Sequence, residues 1–566
     1  MKFSKDKLIL VLILLLAATF RFYNINWDSG HQLHPDERAI LMAVDKLKFP
    51  NNVNYFLSPQ SSWNPKFFAY GSFPMYLLRV TGDSLSVLDP TLSHYPSLHL
   101  VGRVLSALAD LFSVFLIYKI ARKLFNTPSG LLAAFFYTIS VLPIQLSHFF
   151  AVDTLLTCFT LATLYSLLRF YEKPSLTRSL MVGFLFGLAL ATKISAVVLI
   201  LSIGLTLTAD FLLIFMKSPH KIKHWLPLMP ASIKRILTHG VAIVLVTFLT
   251  FAFFEPYALI DFQSFWSQTL QQSELTKNPF YFPYTLQYVG KIPYIYELKN
   301  VFFWGLGPVL GTLAFSGLIY FTFLIFKKER NSQFAKEFII FVFFLSYLIV
   351  VGRFSVGFMR YMLPLYPLLA LFAALLVYRI IVSIQSKNTR IVVGYLFLVI
   401  SVIWPLTFLN IYTRNNTRVD ATFWIRQNIP VGKVIAIEHW DDGLPLAIQS
   451  NYQMLTLNLY DPDTEMKWAQ INTQLQQADY VIIASNRLYT PLLKLTDCRS
   501  LPINSCFPMT ATYYKNLFAG NSPFQKVAEF TNYPNIPIFN IPINDESADE
   551  SFTVYDHPKV MIFKKR

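Results

Sequence analysis

The apolar run Leu8-Ile9-Leu10-Val11-Leu12-Ile13-Leu14-Leu15-Leu16-Ala17-Ala18-Thr19-Phe20 is followed, after a short connection, by His34-Pro35-Asp36-Glu37-Arg38. The second stretch lies near the start of a long segment, residues 24–98, that is rich in aromatic residues and prolines. A bilayer surface gives adjacent carboxylates no packing role. Their position just outside an apolar segment therefore indicates a catalytic or ion-binding site that faces one side of a membrane.

The composition places the chain among polytopic membrane proteins. Of its 566 residues, 54% are hydrophobic and 14% are charged, whereas soluble domains carry about 25% charged residues. The apolar residues are concentrated in stretches near the length of about 20 residues that crosses a bilayer. We expect about eleven transmembrane helices, at residues 8–22, 99–118, 129–147, 154–171, 179–192, 194–216, 236–254, 301–326, 338–352, 361–383 and 391–412.

The net charge of +16 raises the question of nucleic-acid binding. The distribution of the basic residues favours a membrane explanation, because they cluster before the first span and after each second span, as cytoplasmic loops require. These residues are Lys2, Lys5, Lys7, Lys119, Arg122, Lys123, Lys173, Arg178, Lys217, Lys221, Lys223, Lys234, Arg235, Lys327, Lys328, Arg330, Lys336, Arg379, Lys387 and Arg390. We therefore expect a multi-pass protein of the cell membrane with a cytoplasmic N-terminus, an outer loop at 24–98, an outer C-terminal domain and no nucleic-acid partner.

The composition changes near residue 413, which predicts two domains, 1–412 in the membrane and 413–566 outside it. Beyond the change we predict helices at 419–427 and 463–477, and strands at 434–438, 453–459, 480–484 and 554–563. This alternation indicates a small α/β domain. No glycine-rich phosphate loop follows these strands, so nucleotide binding is not supported. Cys498 and Cys506 lie close together in this domain and favour a disulfide, with free thiols as the alternative, while Cys158 lies within a span.

Chemistry on a lipid phosphate needs cations to hold the phosphate and a carboxylate to take a proton from the acceptor. The carboxylates on the outer side are Asp36, Glu37 and Asp153, the last at the head of the fourth span. Cations on the same side are Lys66 in the first loop, Arg103 at the start of the second span and Arg360 at the start of the tenth. These residues predict one extracytoplasmic site.

The order of these residues resembles glycosyltransferase family 39 and its bacterial relatives, which include protein O-mannosyltransferases and the aminoarabinose transferase of lipid A. Further stretches that carry the resemblance are Gly102-Arg103-Val104-Leu105-Ser106-Ala107-Leu108, Gly187-Leu188-Ala189-Leu190-Ala191-Thr192-Lys193 and Arg360-Tyr361-Met362-Leu363-Pro364-Leu365-Tyr366-Pro367. The resemblance covers residues 1–410. It implies the GT-C fold, an all-α membrane domain whose long first outer loop carries interfacial helices, with the small α/β domain following it.

The resemblance also implies a polyprenyl-phosphate sugar donor, a protein, lipid or glycan acceptor, and inversion at the anomeric carbon. Asp36 would be the general base, supported by Glu37 and by Asp153 across the cavity. Lys66, Arg103 and Arg360 would bind the donor phosphate. Possible substrate contacts are His34, Arg38, His148 and Glu255. No metal or other cofactor is expected, because cations of the protein neutralise a monophosphate. Arg38 follows Glu37 directly, which differs from the spacing of the aminoarabinose branch and argues against assuming that substrate.

Each candidate also has a structural explanation. The carboxylates at 36 and 37 would cap a helix, and Asp153 would cap the fourth span. The cations Lys66, Arg103 and Arg360 would anchor the chain at the membrane interface. At the level of function, two other classes remain open. One is a translocase for lipid-linked sugars or another transporter, for which acidic residues nearer the middle of the bilayer are expected. The other is a membrane-anchored binding protein that acts through its C-terminal domain.

Overall fold

The computed structural model describes residues 5–217 and 229–566, and helices account for most of the chain up to Leu409. The helices are α1 Lys5–Phe22, α2 Pro35–Asp45, α3 Val53–Phe56, α4 Ser72–Leu85, α5 Tyr95–Leu124, α6 Thr127–Thr138, α7 Val141–Ser147, α8 Asp153–Glu172, α9 Leu176–Thr192, α10 Leu199–Lys217, α11 Met229–Arg235, α12 Val241–Phe254, α13 Tyr257–Ile260, α14 Phe262–Lys277, α15 Ile295–Asn300, α16 Pro308–Lys327, α17 Ser332–Gly352, α18 Tyr366–Ser383, α19 Lys387–Leu409, α20 Thr417–Asn428, α21 Glu465–Gln477, α22 Tyr489–Leu492, α23 Pro508–Phe518 and α24 Glu550–Thr553.

Within residues 5–217 and 229–566, eight helical segments are long and apolar enough to cross a membrane, and the bent pair α6 and α7 makes a ninth. The eight are Tyr95–Leu124, Asp153–Glu172, Ile194–Lys217, Met229–Phe254, Pro308–Lys327, Ser332–Gly352, Met359–Ser383 and Lys387–Asn428. Two further apolar helices lie at predicted spans: α1 carries charged residues at both ends, and α9 has 17 residues. A multi-pass membrane protein is thus confirmed, while the number of eleven crossings and the side of each terminus stay predictions. Lys2, Lys221 and Lys223 lie outside the described residues.

The predicted span 129–147 is not one straight helix. α6 and α7 meet at an angle of 59°, and the break lies at Ile139 and Ser140. Pro143 explains the break, because it has no N–H to donate to the carbonyl of Ile139 four residues earlier. After the bend, the chain runs from α7 through His148 to the start of α8. His148 and the first residue of α8 are both candidate site residues.

Small residues allow the membrane helices to approach closely. Gly317 of α16 lies against α18, and a Cβ atom built on it would be 2.3 Å from the carbonyl oxygen of Phe372. Apolar attraction does not drive helices together in lipid, so close backbone contact of this kind contributes much of the association. Gly204 of α10 differs, because nothing lies within 4 Å of the corresponding position.

The C-terminal domain is built on a mixed sheet. Its strands are β1 Val434–Glu438, β2 Gln453–Leu457, β3 Tyr480–Ile483, β4 Phe524–Phe530 and β7 Val560–Lys565, in the order β2-β1-β3-β7-β4, and β5 Asn535–Ile536 and β6 Ile541–Pro542 form a separate hairpin. β1 runs parallel to β2 and β3, whereas β7 is antiparallel to β3 and β4. The predicted small α/β domain is confirmed.

The elements predicted in this domain are largely present, with two corrections. The last strand begins at Val560 rather than at 554, because residues 554–559 turn towards the membrane domain and contain Pro558. β4 and α23 were not predicted, since β4 has an exposed, largely polar pattern typical of an edge. Thr464 caps α21 by accepting a hydrogen bond from the Lys467 amide at 3.1 Å.

The two domains share one apolar core. Phe552, Val554 and Tyr555 of the C-terminal domain belong to the same buried cluster as the membrane helices. Gln145 of α7 reinforces the contact by donating hydrogen bonds to the Phe552 carbonyl oxygen at 2.8 Å and to Asp556 Oδ2 at 3.0 Å. The C-terminal domain is therefore docked through a buried and hydrogen-bonded segment.

The cysteines behave as the sequence predicts. Cys498 and Cys506 form a disulfide, with their Cα atoms 5.3 Å apart. Cys158 of α8 is buried and free.

A first prediction concerns helix packing. Gly317→Leu is expected to lower the melting temperature of the detergent-solubilised protein by several degrees, because overpacking at a tight contact costs about 1–3 kcal/mol. Gly204→Leu is the matched control and should melt like the unchanged protein. Equal melting temperatures for the two variants would contradict the α16–α18 contact.

A second prediction concerns Glu438, the last residue of β1. Burial raises the pKa of this carboxyl group to about 8, and it accepts a hydrogen bond from the Tyr514 hydroxyl at 2.6 Å. The folded state therefore holds a proton that the unfolded state loses above its ordinary pKa of 4.5. Stability should fall between pH 4.5 and 8 as the pH rises, by at most about 1.4 kcal/mol per pH unit.

The measurement is the melting temperature of the full chain from pH 5 to pH 8. Glu438→Gln should flatten this dependence, because the amide does not titrate. Glu465→Gln, at an exposed position of α21, is the control and should leave the slope unchanged. A slope that persists in Glu438→Gln would assign the pH dependence to other groups.

Candidate active site

A cavity of about 840 Å³ lies between the membrane helices and the C-terminal domain. Ends of membrane helices and the first loop form its floor, and α14 forms one wall. Both domains contribute charged and aromatic residues to its lining, among them Asp36, Arg38, Tyr70, Lys193, Glu255, Tyr284, Arg360, Tyr361, Trp440, Asp441, Asp442, Arg487, Glu550 and Tyr555. Its remaining lining is largely apolar, so the cavity joins a charged region to an apolar one.

The sheet topology explains how the C-terminal domain reaches the cavity. β1 and β3 are parallel, so the loops that follow them lie at the same edge of the sheet. The loop after β1 provides Trp440, Asp441 and Asp442, and the loop after β3 provides Arg487. Open α/β sheets commonly bind ligands at this edge. The C-terminal domain therefore forms the roof of the cavity with the edge of its sheet at which ligands are commonly bound.

Four charged residues of alternating sign form what we name the cavity charge chain: Asp36, Arg360, Asp153 and Lys193. Asp36 pairs with Arg360. Arg360 Nε lies 4.0 Å from Asp153 Oδ2, and Lys193 Nζ lies 2.7 Å from Asp153 Oδ1. The structure thus brings together three of the predicted site residues, Asp36, Asp153 and Arg360, and adds Lys193.

Local structure places each member of the chain. His34 caps α2 and Pro35 begins it, which puts Asp36 in the first turn of that helix. Asp153 is the first residue of α8, where the positive end of the helix dipole stabilises a carboxylate. Lys193 lies at the break between α9 and the short 3₁₀ turn Ile194–Val198.

Aromatic rings surround the cations of the chain. Lys193 Nζ lies 4.7 Å from the centre of the Tyr361 ring, and Arg360 lies 5.7 Å from the same ring. Arg360 Nη2 also approaches the Tyr70 hydroxyl at 3.4 Å. These rings partly replace water around the cations, which strengthens the attraction of the site for an anion.

Glu37 and Arg103 lie in the interior and are absent from the cavity lining. Arg103 is fully buried and pairs with Glu37 at 2.8 Å, with Asp28 at 2.7 Å, and with the Ile25 carbonyl oxygen at 2.9 Å. Glu37 also accepts a hydrogen bond from the Phe150 amide at 2.9 Å. All the polar groups of Glu37 and Arg103 are thus engaged in holding α2, α5 and the start of α8 together, and this position does not support the predicted roles of Glu37 in catalysis and of Arg103 in phosphate binding, which stay predictions.

Lys66 also lies outside the cavity in which it was predicted to bind phosphate. Its side chain is exposed, donates to Gln60 Oε1 at 3.1 Å, and is absent from the cavity lining, although its neighbours Phe67 and Phe68 belong to that lining. The backbone of Lys66 has a φ of 53°, which turns the chain so that the side chain leaves the cavity. The prediction that Lys66 binds phosphate is not supported by this position.

His34 and His148 are both buried and have structural partners. His34 accepts a hydrogen bond from the Glu37 amide, and its ring packs on Tyr555 with centres 4.3 Å apart. Burial, helped by nearby arginines, lowers the pKa of His34 well below its ordinary value, so the ring is neutral. His148 lies 2.8 Å from the Ile144 carbonyl oxygen and 2.9 Å from that of Tyr23. Neither histidine lines the cavity.

Glu255 and Arg38 do line the cavity, and both are already paired. Glu255 is buried and accepts hydrogen bonds from the amide and hydroxyl of Ser72, at the start of α4. Arg38 donates to Asp442 of the C-terminal domain at 3.0 Å. Burial alone would raise the pKa of Asp442, but Arg418 and Arg38 hold it below its ordinary value. Arg38 therefore links α2 to the roof of the cavity.

The roof contains a second ion pair and an aromatic wall. Arg487 Nε donates to Glu550 Oε1 at 2.7 Å. Trp440, with a φ of 76°, is 40% exposed and faces Tyr284 with ring centres 6.2 Å apart. Within residues 5–217 and 229–566, no three side chains of His, Cys, Asp or Glu converge as they would around a metal ion. The chemistry of the lining is thus that of paired ions and aromatic rings.

Comparisons with known proteins bear on this architecture. The family model for dolichyl-phosphate-mannose-protein mannosyltransferases matches residues 97–251. The oligosaccharyltransferase AglB from Archaeoglobus fulgidus, in complex with an inhibitory peptide and a dolichol-phosphate, is similar in structure with a TM-score of 0.52 at 13% identity, over 99% of this chain and 88% of that one. The same enzyme tethered to an acceptor peptide gives 0.51 at 12% identity, with the same shares covered.

The chain has the GT-C fold and resembles the glycosyltransferases of family 39. ArnT from Cupriavidus metallidurans in the apo state has a TM-score of 0.47 at 13% identity, over 87% of this chain and 96% of that one. No curated protein matches the sequence. The GT-C assignment confirms the fold that the resemblance implied.

The matched region of this GT-C chain includes Asp153 and Lys193 but neither Asp36 nor Arg360. Lys193 was not among the predicted site residues, although it is the last residue of the stretch 187–193 that carries part of the family resemblance. The sequence did contain an indication that Lys193 is unusual. In the predicted topology it lies on the outer side, between the fifth and sixth spans, where the positive-inside rule expects few basic residues. Arg487 gave no such signal, because the sequence does not show which edge of the sheet meets the membrane domain.

A third prediction separates the buried arginine from the exposed lysine. Arg103→Gln should lower the free energy of unfolding by about 3–5 kcal/mol, because it leaves Glu37 and Asp28 buried without their cation. Lys66→Gln should change it by less than about 0.5 kcal/mol. Thermal unfolding in detergent measures both. Normal melting of Arg103→Gln together with weakened binding of undecaprenyl phosphate would restore Arg103 as a phosphate ligand.

Proposed function

We propose that this protein is a membrane glycosyltransferase that moves a sugar from a polyprenyl-phosphate donor to a hydroxyl group of a protein, lipid or glycan acceptor. The observation that carries the proposal is the cavity charge chain, which lies where an apolar part of the cavity meets its charged part. The GT-C fold and the family match over residues 97–251 support it. The reaction takes place on the outer face of the membrane, a placement that rests on the distribution of basic residues.

Lys193 and Arg360 hold the donor phosphate. Both cations line the cavity, and each is paired with a carboxylate. A phosphate oxygen carries more charge as the bond to the sugar breaks, so a pair of preorganised cations stabilises the transition state more than the ground state. Lys66 and Arg103 are not needed for this role.

The isoprenoid chain lies against the apolar part of the lining. Leu190, Ile194, Val197, Val350 and Phe354 belong to that lining. These residues come from the ends of α9 and α17 and from the turn between α9 and α10. A lipid held there keeps its tail among membrane helices while its phosphate reaches the cations.

Asp36 takes the proton of the acceptor hydroxyl. Its carboxylate is half-buried on the cavity lining and pairs with Arg360. A donor phosphate competes for Arg360, so donor binding weakens the hold of that arginine on Asp36 and leaves the carboxylate free to accept a proton. The acceptor oxygen then attacks the anomeric carbon, the bond from that carbon to the phosphate oxygen breaks, polyprenyl phosphate leaves, and the configuration inverts.

The acceptor approaches from the side of the C-terminal domain. Trp440, Arg487 and Glu550 of that domain line the cavity. Burial raises the pKa of Glu550 in spite of its pairing with Arg487. The choice of sugar and acceptor depends on the shape of this region.

A fourth prediction tests the assignment with undecaprenyl phosphate as the probe. Lys193→Gln and Arg360→Gln should each weaken its binding to the protein in nanodiscs by about 10- to 100-fold, because each removes a hydrogen bond between charged groups. Lys66→Gln is the matched control and should bind as the unchanged protein does. Full affinity in both cavity variants would remove the proposed phosphate site.

The catalytic step has its own test. Asp36→Asn should retain binding of undecaprenyl phosphate and lose about 10²- to 10⁴-fold in transfer of labelled sugar from a polyprenyl-phosphate donor, as expected for loss of a general base. Full turnover in this variant would show that another group takes the proton. Movement of the donor across proteoliposomes without a new glycosidic bond would instead identify a translocase.

A further inference from the structure

The hairpin of β5 and β6 presents an apolar tip that the protein leaves uncovered. Ile538 is 98% exposed and Phe539 is 72% exposed, and Ile541 follows at 53%. Residues 531–543 contain no charged side chain. Large apolar patches that stay exposed in water are unusual in proteins and mark sites of contact with another apolar phase.

The hairpin is a defined structure rather than a loose loop. Asn535 pairs with Pro542 and Ile536 with Ile541. The Asn540 amide donates to the Ile536 carbonyl oxygen at 3.1 Å, and the Asn535 side chain donates to Asn540 Oδ1 at 2.7 Å. The apolar tip is therefore held out by hydrogen bonds that cross the turn.

The backbone at the tip is strained. Ile538 has a φ of 74°, in the left-handed region that is costly for a β-branched residue. Glycine or asparagine would adopt this conformation more easily, and either would suit water better. An isoleucine that is both strained and exposed points to a contact made by its side chain with something outside the chain.

The place of the hairpin identifies that contact. β5 packs against α19 and against the turn Asn410–Thr413 that follows it. Asn532, just before β5, donates to the Ile411 carbonyl oxygen at 2.8 Å. α19 is the last membrane helix before the C-terminal domain, so the hairpin is fixed beside the end of a membrane span.

The apolar surface of the hairpin tip continues the exposed apolar surface of α19. Val399, Ile403 and Leu406 are exposed on this helix, at 63%, 48% and 41%, as expected of residues that face lipid. The hairpin carries the same kind of surface beyond the end of the helix. An uncharged apolar tip with asparagines beside it suits the interface between headgroups and acyl chains.

We propose that the tip of this hairpin, residues 536–541, inserts into the lipid interface on the side of the C-terminal domain and holds that domain against the membrane beside α19. The inference is independent of the reaction that the cavity catalyses. It gives the C-terminal domain a lipid contact in addition to the protein contacts made by Gln145 with Phe552 and Asp556.

Spin labelling tests this fifth prediction. A nitroxide is attached at Phe539→Cys in full-length protein carrying Cys158→Ser, reconstituted in vesicles of phosphatidylcholine and phosphatidylglycerol. The ratio of collisions with oxygen to collisions with the water-soluble complex NiEDDA reports depth. The ratio at position 539 should be several-fold higher than at Val431→Cys and lower than at Val399→Cys, because Val399 lies near the middle of α19 and the interface is shallower than the middle of the bilayer.

The two reference positions are matched to the question. Val399 lies on α19 and reports lipid. Val431 is exposed at 76% just before β1, at the end of that strand opposite the loop that lines the cavity, so it reports water. A ratio at 539 equal to that at 431 would overturn the proposal. So would shielding from both reagents, which indicates a protein partner, or dipolar broadening, which indicates a second copy of the chain.

A second variant guards against an effect of the label itself. With the nitroxide at Ile541→Cys, the change Phe539→Asp should lower the oxygen-to-NiEDDA ratio towards the value at Val431, because a carboxylate at the tip favours water. Melting temperatures confirm that the variant is folded. An unchanged ratio in the folded variant would contradict insertion of the tip.

Discussion

The cavity charge chain is the interaction on which the arrangement of the site depends. Its four charges come from the start of α2, the start of α8, the end of α9 and the turn before α18. A charge removed from water without a partner costs several kcal/mol. Because the signs alternate along the chain, each residue stabilises its neighbours, and the four segments are held at one point of the cavity. Replacing Arg360 would leave Asp36 without its cation, whereas Asp153 would keep Lys193.

The second constraint is the docking of the C-terminal domain. Arg38 of α2 reaches Asp442, and Gln145 of α7 reaches Phe552 and Asp556. The loops after β1 and β3 face the membrane domain instead of open solvent. A binding protein that acts through its C-terminal domain alone would be expected to present these loops to a partner. Their position over the cavity favours a shared site of both domains.

The sequence predicted the fold and part of the site. Long apolar segments predicted the membrane domain, and the alternation of elements after 413 predicted the α/β domain. Asp36, Asp153 and Arg360 were identified because each lies at an end of an apolar segment on the same predicted side. Lys66 satisfied the same rule but lies outside the cavity lining, in a backbone conformation with a φ of 53° that no sequence pattern reports.

Other features of the site follow from tertiary contacts alone. Asp36 and Glu37 are adjacent, and successive residues of a helix point about 100° apart. One carboxylate therefore faces the cavity and the other faces the interior, but the sequence does not show which. Lys193 and Arg487 both line the cavity because the ends of their segments meet across it. Such meetings depend on helix packing and on the orientation of the sheet.

The contrast between Arg103 and Arg360 shows how a structural ion pair differs from a ligand site. Arg103 is fully buried, and it contacts two carboxylates and a carbonyl oxygen. Arg360 lines the cavity, and its Nε has no hydrogen-bond partner among the described residues, nor has Asp153 Oδ2, which faces it at 4.0 Å. Buried polar atoms are almost always satisfied in a folded protein. A guanidinium that is left incompletely satisfied beside a cavity retains the capacity to bind an incoming anion, whereas one with every donor engaged does not. This difference in satisfaction, rather than residue type, is the reason that the proposed phosphate site includes Arg360 and not Arg103.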